Sequence, residues 1–241
     1  MDFKEYENDK FDEEYYTHYA RGGFWKYSWE RHKGEQGKKM DWIERHFLKG
    51  KKEPYPIKKI LWGACAIGLE IKASRERGYE AYGVDMSDWA LENALPDMRK
   101  YIRKADLREL PFEDNSFDLV CCFDVFHTID IESRHLAYKE INRIAKYGLV
   151  IRMRVLPAQE TEPKYDGTLD GTPSFRETLQ STITKVEELE KFKMFQLEVG
   201  NRYVAWYAFG LEDNFKIKFQ QVYELGLPGF YEELKKRKQE K

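Results

Sequence analysis

Hydrophobic and polar positions alternate in blocks between residues 57 and 156. Short apolar runs of strand type are separated by segments whose apolar residues recur at helical spacing. The runs read as strands are IKKILWG (57–63), YEAYGVD (79–85), the shorter YIRKAD (101–106), FDLVCCFDVF (117–126) and GLVIRMRV (148–155). Strands that alternate with helices predict a mostly parallel sheet with right-handed crossovers.

The pattern changes after residue 156. A polar loop over 157–172 and a helix from about Pro173 are predicted first. The segment 192–210, FKMFQLEVGNRYVAWYAFG, has two strand-like halves that meet at Gly200-Asn201, which predicts an antiparallel hairpin. The chain therefore divides into a helical, aromatic-rich cap (1–50), a main α/β domain (51–211) and a helical tail (212–241).

The cap is unusually rich in aromatic side chains. Seven of them lie between Tyr15 and Trp29, interrupted by Gly22-Gly23. We expect two short helical pieces with a turn at the glycine pair, followed by a helix over 40–48, where apolar residues again recur at helical spacing.

Composition narrows the class of protein. The 241 residues carry 41 Lys and Arg against 43 Asp and Glu, a formal charge of −2, which gives no global attraction to nucleic acid. No apolar run approaches the roughly 20 residues of a membrane span, and the acidic N-terminus lacks the apolar centre of a signal peptide. Three cysteines form neither a disulfide framework nor a metal-ligand pattern. A soluble, cytoplasmic protein without a metal is expected.

The turn after the first strand is a candidate ligand site. In open α/β sheets ligands lie at the carboxyl ends of the strands, where the strand order reverses. The turn reads Gly63-Ala64-Cys65-Ala66-Ile67-Gly68, so only the outer glycines of the dinucleotide pattern G-x-G-x-x-G are present. The turn therefore suits close approach to a ligand better than it suits wrapping a phosphate.

Carboxylates follow the next two strands. Asp85 ends the second strand, 22 positions after Gly63, where an ionised acid can accept hydrogen bonds from both hydroxyls of a ribose. Asp106 ends the third strand and could accept from an adenine amino group. Met86, Leu107 and Phe123 are placed to line the faces of the base.

The segments GVDMS (83–87) and ADLRELPFEDNSFDLV (105–120), taken together, resemble the class I S-adenosylmethionine-dependent methyltransferases. The resemblance covers about 57–156 and is closest to the small-molecule and tRNA-type branch. It implies a Rossmann-like three-layer α/β sandwich. Its mostly parallel seven-stranded sheet would end in the antiparallel hairpin, with a helical N-terminal lid and a C-terminal helix added.

The resemblance also implies S-adenosylmethionine as cofactor, S-adenosylhomocysteine as product and a set of binding residues. The turn, with Gly63, Ala64, Cys65 and Gly68, would contact the methionine portion. Asp85 would bind the ribose with Met86 against the adenine, Asp106 and Leu107 would hold the adenine edge, and Phe123 and Asp124 would lie between cofactor and acceptor.

Three positions depart from the family pattern. Trp62 stands where the family has an acid, and Ala64 and Ala66 replace two of its glycines. Because alanine does not adopt positive φ cheaply, we expect the turn to run in an ordinary conformation. The His127-Thr128 pair stands where a Glu-His pair is common, which leaves any role of that pair open.

The candidate proton acceptor, His127, has two interpretations. His127 follows the fourth strand, where a neutral imidazole could take a proton from the methyl acceptor, with Asp124 beside it. A histidine at the start of a helix in solvent explains His127 equally well. Cys65, Cys121 and Cys122 are better explained as packing residues than as nucleophiles.

The acceptor side has candidate residues of two kinds. Arg152 and Arg154, on one face of a strand, are interpreted as partners of helix glutamates, or alternatively as a clamp for an anionic substrate. Tyr16, Trp25 and Tyr27 would box in the sulfonium if the cap closes over the site, or would simply cover the sheet.

The predicted function is methyl transfer to an oxygen or nitrogen of a small molecule, by a monomer or homodimer. A tRNA or protein methyltransferase and a non-catalytic, degenerate partner subunit are the alternatives. Balanced charge argues against nucleic acid as partner. No Pro-Cys nucleophile and no Pro-Pro-aromatic motif is present for base methylation, and the glycine spacing disfavours a dinucleotide oxidoreductase.

Overall fold

A seven-stranded mixed sheet organises the chain in the computed structural model. The structure describes residues 11–16, 28–48, 55–155, 164–169, 172–176, 178–199 and 204–211. The strands are β1 (Lys59–Gly63), β2 (Glu80–Asp85), β3 (Ile102–Lys104), β4 (Phe117–Phe123), β5 (Ala145–Arg154), β6 (Lys164–Leu169), β7 (Thr172–Arg176), β8 (Lys193–Val199) and β9 (Val204–Gly210). The helices are α1 (Trp29–Phe47), α2 (Leu69–Glu76), α3 (Asp88–Glu92), α4 (Arg134–Ile144) and α5 (Leu179–Glu187), with short 3-10 turns at Arg99–Tyr101 and Phe126–Thr128.

The sheet order is β3-β2-β1-β4-β5-β9-β8, with β1 to β5 parallel and β9 antiparallel to both its neighbours. This confirms the Rossmann-like fold and its C-terminal hairpin. The chain leaves β1 towards β2 on one side and later returns to β4 on the other. The carboxyl ends of β1 and β4 therefore form the point where the strand order reverses, the usual place for a ligand in such sheets.

Helices cover both faces of the sheet and make it the middle of three layers. Side chains alternate across β4, so Cys121 packs into the layer under α1 and α2, and Cys122 into the layer under α4 and α5. Both thiols are fully buried. The continuous apolar run of β4, with both faces covered, is why this strand shows no polar alternation.

The segment before α5 differs from the prediction. Residues 164–169 and 172–176 form an antiparallel pair, β6 and β7, in which Pro173 lies opposite Thr168. The predicted start of a helix at about Pro173 is therefore wrong, and the described part of the predicted polar loop is a strand. A two-stranded ribbon tolerates proline because the strand has a free edge. The helix begins later, where the Thr178 hydroxyl accepts a hydrogen bond from the amide of Ser181 at 3.0 Å.

Helix α4 passes into β5 with no intervening loop. The Lys191 ammonium closes this junction by donating to the carbonyls of Asn142 (2.9 Å) and Arg143 (3.4 Å) and to that of Ala145. Carbonyls at the end of a helix need such partners, which explains how the chain turns there without a glycine.

Several predicted features lie outside the described residues: the turns at Gly22-Gly23 and Gly200-Asn201 and the tail 212–241. Helix α1 is longer than the predicted 40–48 segment and begins at Trp29. Within the described part of the chain, no helix has the length and apolar character that a bilayer crossing needs.

Candidate functional site

An open cavity lies at the carboxyl ends of β1, β2 and β4, bordered by the turn after β1 and by one face of α1. Its empty volume is about 1080 Å³ including the mouth, which suits a nucleoside-sized ligand together with a small second molecule. The cavity therefore coincides with the place that the strand order marks.

The turn after β1 keeps a left-handed backbone although it lacks the expected glycines. Ala64 has φ 54° and Ala66 has φ 46°, so the prediction of an ordinary conformation is wrong. Tertiary hydrogen bonds hold this geometry: the amide of Cys65 donates to the carbonyl of Val84 at 3.0 Å, and the amide of Ala66 donates to Asp85 Oδ2 at 2.7 Å. Left-handed alanine costs about 1–2 kcal/mol at each position.

This strain leads to a stability prediction. Ala66→Gly is expected to raise the free energy of unfolding by about 1 kcal/mol, because glycine adopts positive φ without the clash at Cβ. Urea denaturation measures the change. Ala73→Gly, in the interior of α2, should lower it by about 1 kcal/mol. Losses of equal size in both variants would contradict a strained turn.

Only Ala64 and Ala66 of the predicted turn residues line the cavity. A Cβ at Gly63 would lie 2.6 Å from Cys122 Sγ and 2.8 Å from Leu107 Cδ2, so Gly63 is needed for packing. Cys65 is buried against Gly83, and burial raises the pKa of its thiol well above the ordinary value. Gly68 has φ 88° at the start of α2. Gly63, Cys65 and Gly68 therefore support the conformation of the turn and do not line the cavity.

Asp85 is a fixed carboxylate on the cavity wall. It is 6% exposed, and its Oδ1 accepts from the amide of Ser87 at 2.9 Å while Oδ2 accepts from Ala66. Burial raises the pKa of Asp85, and hydrogen bonds from the backbone amides of Ser87, Ala66 and Met86 partly oppose the shift. A carboxylate has about four lone-pair sites, so Asp85 keeps capacity to accept from a ligand.

Asp106 lies two residues beyond β3 and also lines the cavity, but it is already engaged. Arg108 donates to it through Nε (3.0 and 3.1 Å) and Nη2 (2.7 Å), and reaches Asp130 at 3.4 Å and the Ser133 hydroxyl at 3.0 Å. This network leaves Asp106 little spare acceptor capacity. The sequence analysis missed Arg108, whose nearness to Asp106 in "DLR" was the available signal.

Apolar and aromatic side chains complete the walls. Met86, Leu107 and Phe123 all line the cavity, as predicted for the faces of a base. Tyr16 does so from the cap, 5% exposed and stacked on Trp89 with centroids 4.6 Å apart. The other two predicted lid aromatics, Trp25 and Tyr27, lie outside the described residues.

The far end of the cavity carries an ion pair. Asp124 lines it with φ 57°, and Arg152 donates to the Asp124 carboxylate. The Arg152 guanidinium also lies 5.3 Å from the centroid of the Trp206 ring. Arg152 thus pairs with a strand-end acid, and the interpretation that its partner is a helix glutamate is wrong. Arg154, two residues further on, is partly exposed.

His127 lies in the 3-10 turn after β4 and is not among the residues that line the cavity, whereas its neighbour Thr128 is. The Thr128 hydroxyl donates to the carbonyl of Val125 at 2.8 Å. The placement therefore gives no support to His127 as proton acceptor. Among the residues that the structure describes, no group of three or more His, Cys, Asp or Glu is arranged to hold a metal ion.

Trp62 does not face the cavity. It is 1% exposed, its indole Nε1 donates to the Ser74 hydroxyl at 2.9 Å, and its ring meets Phe123 edge to face at 5.1 Å. The indole therefore fills the space between β1 and α2 and supplies no charge to the site.

Helix α1 contributes a polar stripe that the sequence analysis missed. His32, Gln36 and Lys39 follow one another at helical spacing, are each at most 5% exposed, and all line the cavity. Lys39 Nζ lies 2.6 Å from Glu70 Oε1, at the start of α2, and Glu70 lines the cavity too. Polar residues on the buried face of an amphipathic helix were the available signal.

Comparison with known proteins agrees with this geometry. Residues 62–151 match the family model described as "Methyltransferase domain". An uncharacterized protein of Haemophilus influenzae is 30% identical over 108 residues, which cover 41% of this chain and 43% of that protein. This chain thus aligns with less than half the length of that relative.

Solved structures share the fold at low sequence identity. The PH0226 protein from Pyrococcus horikoshii is 18% identical, with a TM-score of 0.58 over 83% of this chain and 96% of that one. Magnesium protoporphyrin IX methyltransferase from Synechocystis with bound S-adenosylmethionine is 14% identical, with a TM-score of 0.62 over 88% and 98% of the two chains.

The strand order and the cavity at its reversal point match the Rossmann-like fold of solved S-adenosylmethionine-dependent methyltransferases. Residues 62–151 thus resemble the methyltransferase domain family, and this match spans somewhat more than a third of the chain.

Proposed function

We propose that the chain binds S-adenosylmethionine in this cavity and transfers its methyl group to an oxygen or nitrogen of a small molecule, releasing S-adenosylhomocysteine. The observation that carries the proposal is Asp85, a buried carboxylate at the end of β2 that lines the cavity and is oriented by the backbone amides of Ala66 and Ser87. Such an acid matches the paired hydroxyls of a ribose.

The residues present fit this cofactor. Asp85 holds the ribose, Met86 and Leu107 lie against the adenine, and the left-handed turn at Ala64 and Ala66 leaves room beside the backbone. Asp106 accepts from the edge of the adenine through the lone pairs that are not engaged by Arg108. The cofactor supplies a methyl group on a positively charged sulfur. The thioether S-adenosylhomocysteine is a good leaving group, so the protein mainly needs to align the acceptor and exclude water.

A small acceptor suits the shape of the site. The cap segment 11–16 lies along the cavity: Tyr16 lines it, and the Ser87 hydroxyl donates to the carbonyl of Phe11. Beyond Phe123, Asp124 lines the cavity and pairs with Arg152. In this proposal the pair orients a polar acceptor, and Asp124 takes up the departing proton. One structural neighbour is named for a small-molecule substrate, magnesium protoporphyrin IX, so the fold is compatible with this choice.

The wider proposal follows the predicted division of the chain: 1–50 as lid, 51–211 as the catalytic domain and 212–241 as a helical tail, working as a cytoplasmic monomer or homodimer. Its three free, buried cysteines suit a reducing compartment. A degenerate, non-catalytic subunit is less well supported. The main argument for it was the loss of two glycines from the turn, yet Ala64 and Ala66 still adopt positive φ there.

A thermal melt tests cofactor binding directly. S-adenosylhomocysteine at about 100 times its Kd should stabilise the protein by about 2.7 kcal/mol, or roughly 5–10 °C in Tm for a domain of this size. NAD at the same concentration serves as the control and should give no shift. No shift with millimolar S-adenosylhomocysteine would contradict the proposal.

A further inference from the structure

The buried pair of Lys39 and Glu70 has no explanation in the binding of an adenosine. The Lys39 side chain is 6% exposed and that of Glu70 is 17% exposed, with 2.6 Å between Nζ and Oε1. Taking two charges out of water costs more than their attraction usually returns, so such a pair is weak evidence for a stabilising role. Both side chains border the cavity, at the end formed by α1 and the turn after β1.

Gln36 supplies a second, independent observation at the same place. It is 2% exposed, it lines the cavity one helical turn before Lys39, and its Oε1 has no hydrogen-bond partner among the described residues. A buried amide oxygen without a donor costs about 1–3 kcal/mol. A buried acceptor without a partner among the described residues, on a residue that lines a cavity, points to a ligand that carries a donor.

The charges at this end are of both signs. Lys39, which also lies 3.9 Å from Glu35, offers a cation, whereas Glu70 and the Gln36 oxygen offer acceptors, and all three residues line the same cavity. An α-amino acid group carries an ammonium and a carboxylate on one carbon, so it can satisfy all three side chains together. At the position where the family has an acid, Trp62 has turned its indole to Ser74, so that position cannot receive the ammonium.

We propose, on the basis of the proposed function, that Gln36, Lys39 and Glu70 form the site for the amino-acid end of S-adenosylmethionine. Glu70 and Gln36 accept from the ammonium, and Lys39 donates to the carboxylate. Helix α1 of the cap thereby replaces the acid that β1 lacks. Cofactor binding also ties the cap to the sheet, because α1 and α2 each supply part of this site.

Calorimetry with two ligands separates this site from the adenosine site. S-adenosylhomocysteine carries the amino-acid group, whereas 5′-methylthioadenosine keeps the adenosine and thioether without it. Glu70→Gln is expected to weaken S-adenosylhomocysteine about tenfold to a hundredfold, the usual size for one charged hydrogen bond, and to change 5′-methylthioadenosine by less than about twofold. Gln36→Leu should act in the same direction, more weakly.

Glu30→Gln is the matched control. Glu30 lies on α1, as do Gln36 and Lys39, and the substitution removes an acid from an exposed ion pair with Lys33. It should leave both affinities unchanged. If Glu70→Gln fails to fold by circular dichroism, Gln36→Leu decides, because the Oε1 atom that it removes has no hydrogen-bond partner among the described residues.

Three results would overturn the assignment. Gln36→Leu and Glu70→Gln could leave S-adenosylhomocysteine unaffected, or could weaken both ligands by the same factor. Equal binding of the two ligands by the unaltered protein would contradict this assignment alone. Binding of neither would contradict the proposed function itself.

Discussion

Asp85→Ala is expected to weaken the binding of S-adenosylhomocysteine at least about a hundredfold while the protein remains folded. Two hydrogen bonds from a ribose to an ionised carboxylate contribute about 1.5–3 kcal/mol each, and alanine removes both. Isothermal titration calorimetry measures the loss. 5′-Methylthioadenosine should lose affinity to the same extent, because its ribose makes the same contacts.

Asp88→Ala is the control for this variant. Asp88 is three residues further along the chain, 58% exposed at the side chain, and its partner is Lys104 at 2.5 Å on the surface. It should leave affinity unchanged. Unaltered affinity in Asp85→Ala, or an equal loss in both variants, would refute the assignment of Asp85 to the ribose.

The raised pKa of Asp85 adds a pH dependence of known sign. Burial favours the protonated form, so the folded protein binds this proton more tightly than the unfolded chain. The contribution of Asp85 to stability therefore falls as pH rises through the interval from its unfolded to its folded pKa. Affinity for the ligand should change in the opposite direction, because a protonated carboxyl accepts less well from two hydroxyls.

Sequence patterns predicted the strands, the reversal point and the acids that reach it, because these follow from local periodicity and from strand order. The conformation at Ala66 did not follow from them. Its amide is held by Asp85, 19 residues away, and such a tertiary bond overrides the local preference of alanine. Knowing that alanine disfavours positive φ gave the wrong answer because the cost is small compared with the contacts that impose it.

Ion pairs between distant segments could not be predicted from the sequence for a similar reason. Lys39 and Glu70 are separated by 31 positions and Asp124 and Arg152 by 28, and each pair forms only after the helices and strands have packed. A single sequence shows many acids that could serve either cation. The predicted hairpin after β5 was visible through its alternating pattern, whereas β6 and β7 lie in a polar stretch with weak alternation.

The buried Arg108 gives the largest expected effect on stability. Arg108→Met should lower the free energy of unfolding by about 3–5 kcal/mol, because it leaves Asp106 and Asp130 partly buried without their shared cation. The arginine side chain is only 5% exposed, so water replaces it poorly. Chemical denaturation at neutral pH measures the loss.

Arg77→Met provides the comparison, since Arg77 also joins two acids, Asp41 and Glu44, but is 28% exposed at the side chain. Solvent screens such a pair, so we expect a loss of about 1 kcal/mol or less. Similar losses in the two variants would show that burial of the Arg108 network contributes little.

Acid titration separates lost charge pairing from lost packing. Burial tends to raise the pKa of Asp130, but hydrogen bonds from Ser133 and the charge of Arg108 outweigh it and hold that pKa below its ordinary value. A depressed carboxyl pKa stabilises the folded state above its unfolded pKa, and this contribution is lost as pH falls through the folded pKa. The stability difference between the unaltered protein and Arg108→Met should therefore narrow on acidification. A difference that stays constant with pH would mean that the methionine fails to fill the space, and that the charge of Arg108 is not what holds the two acids in place.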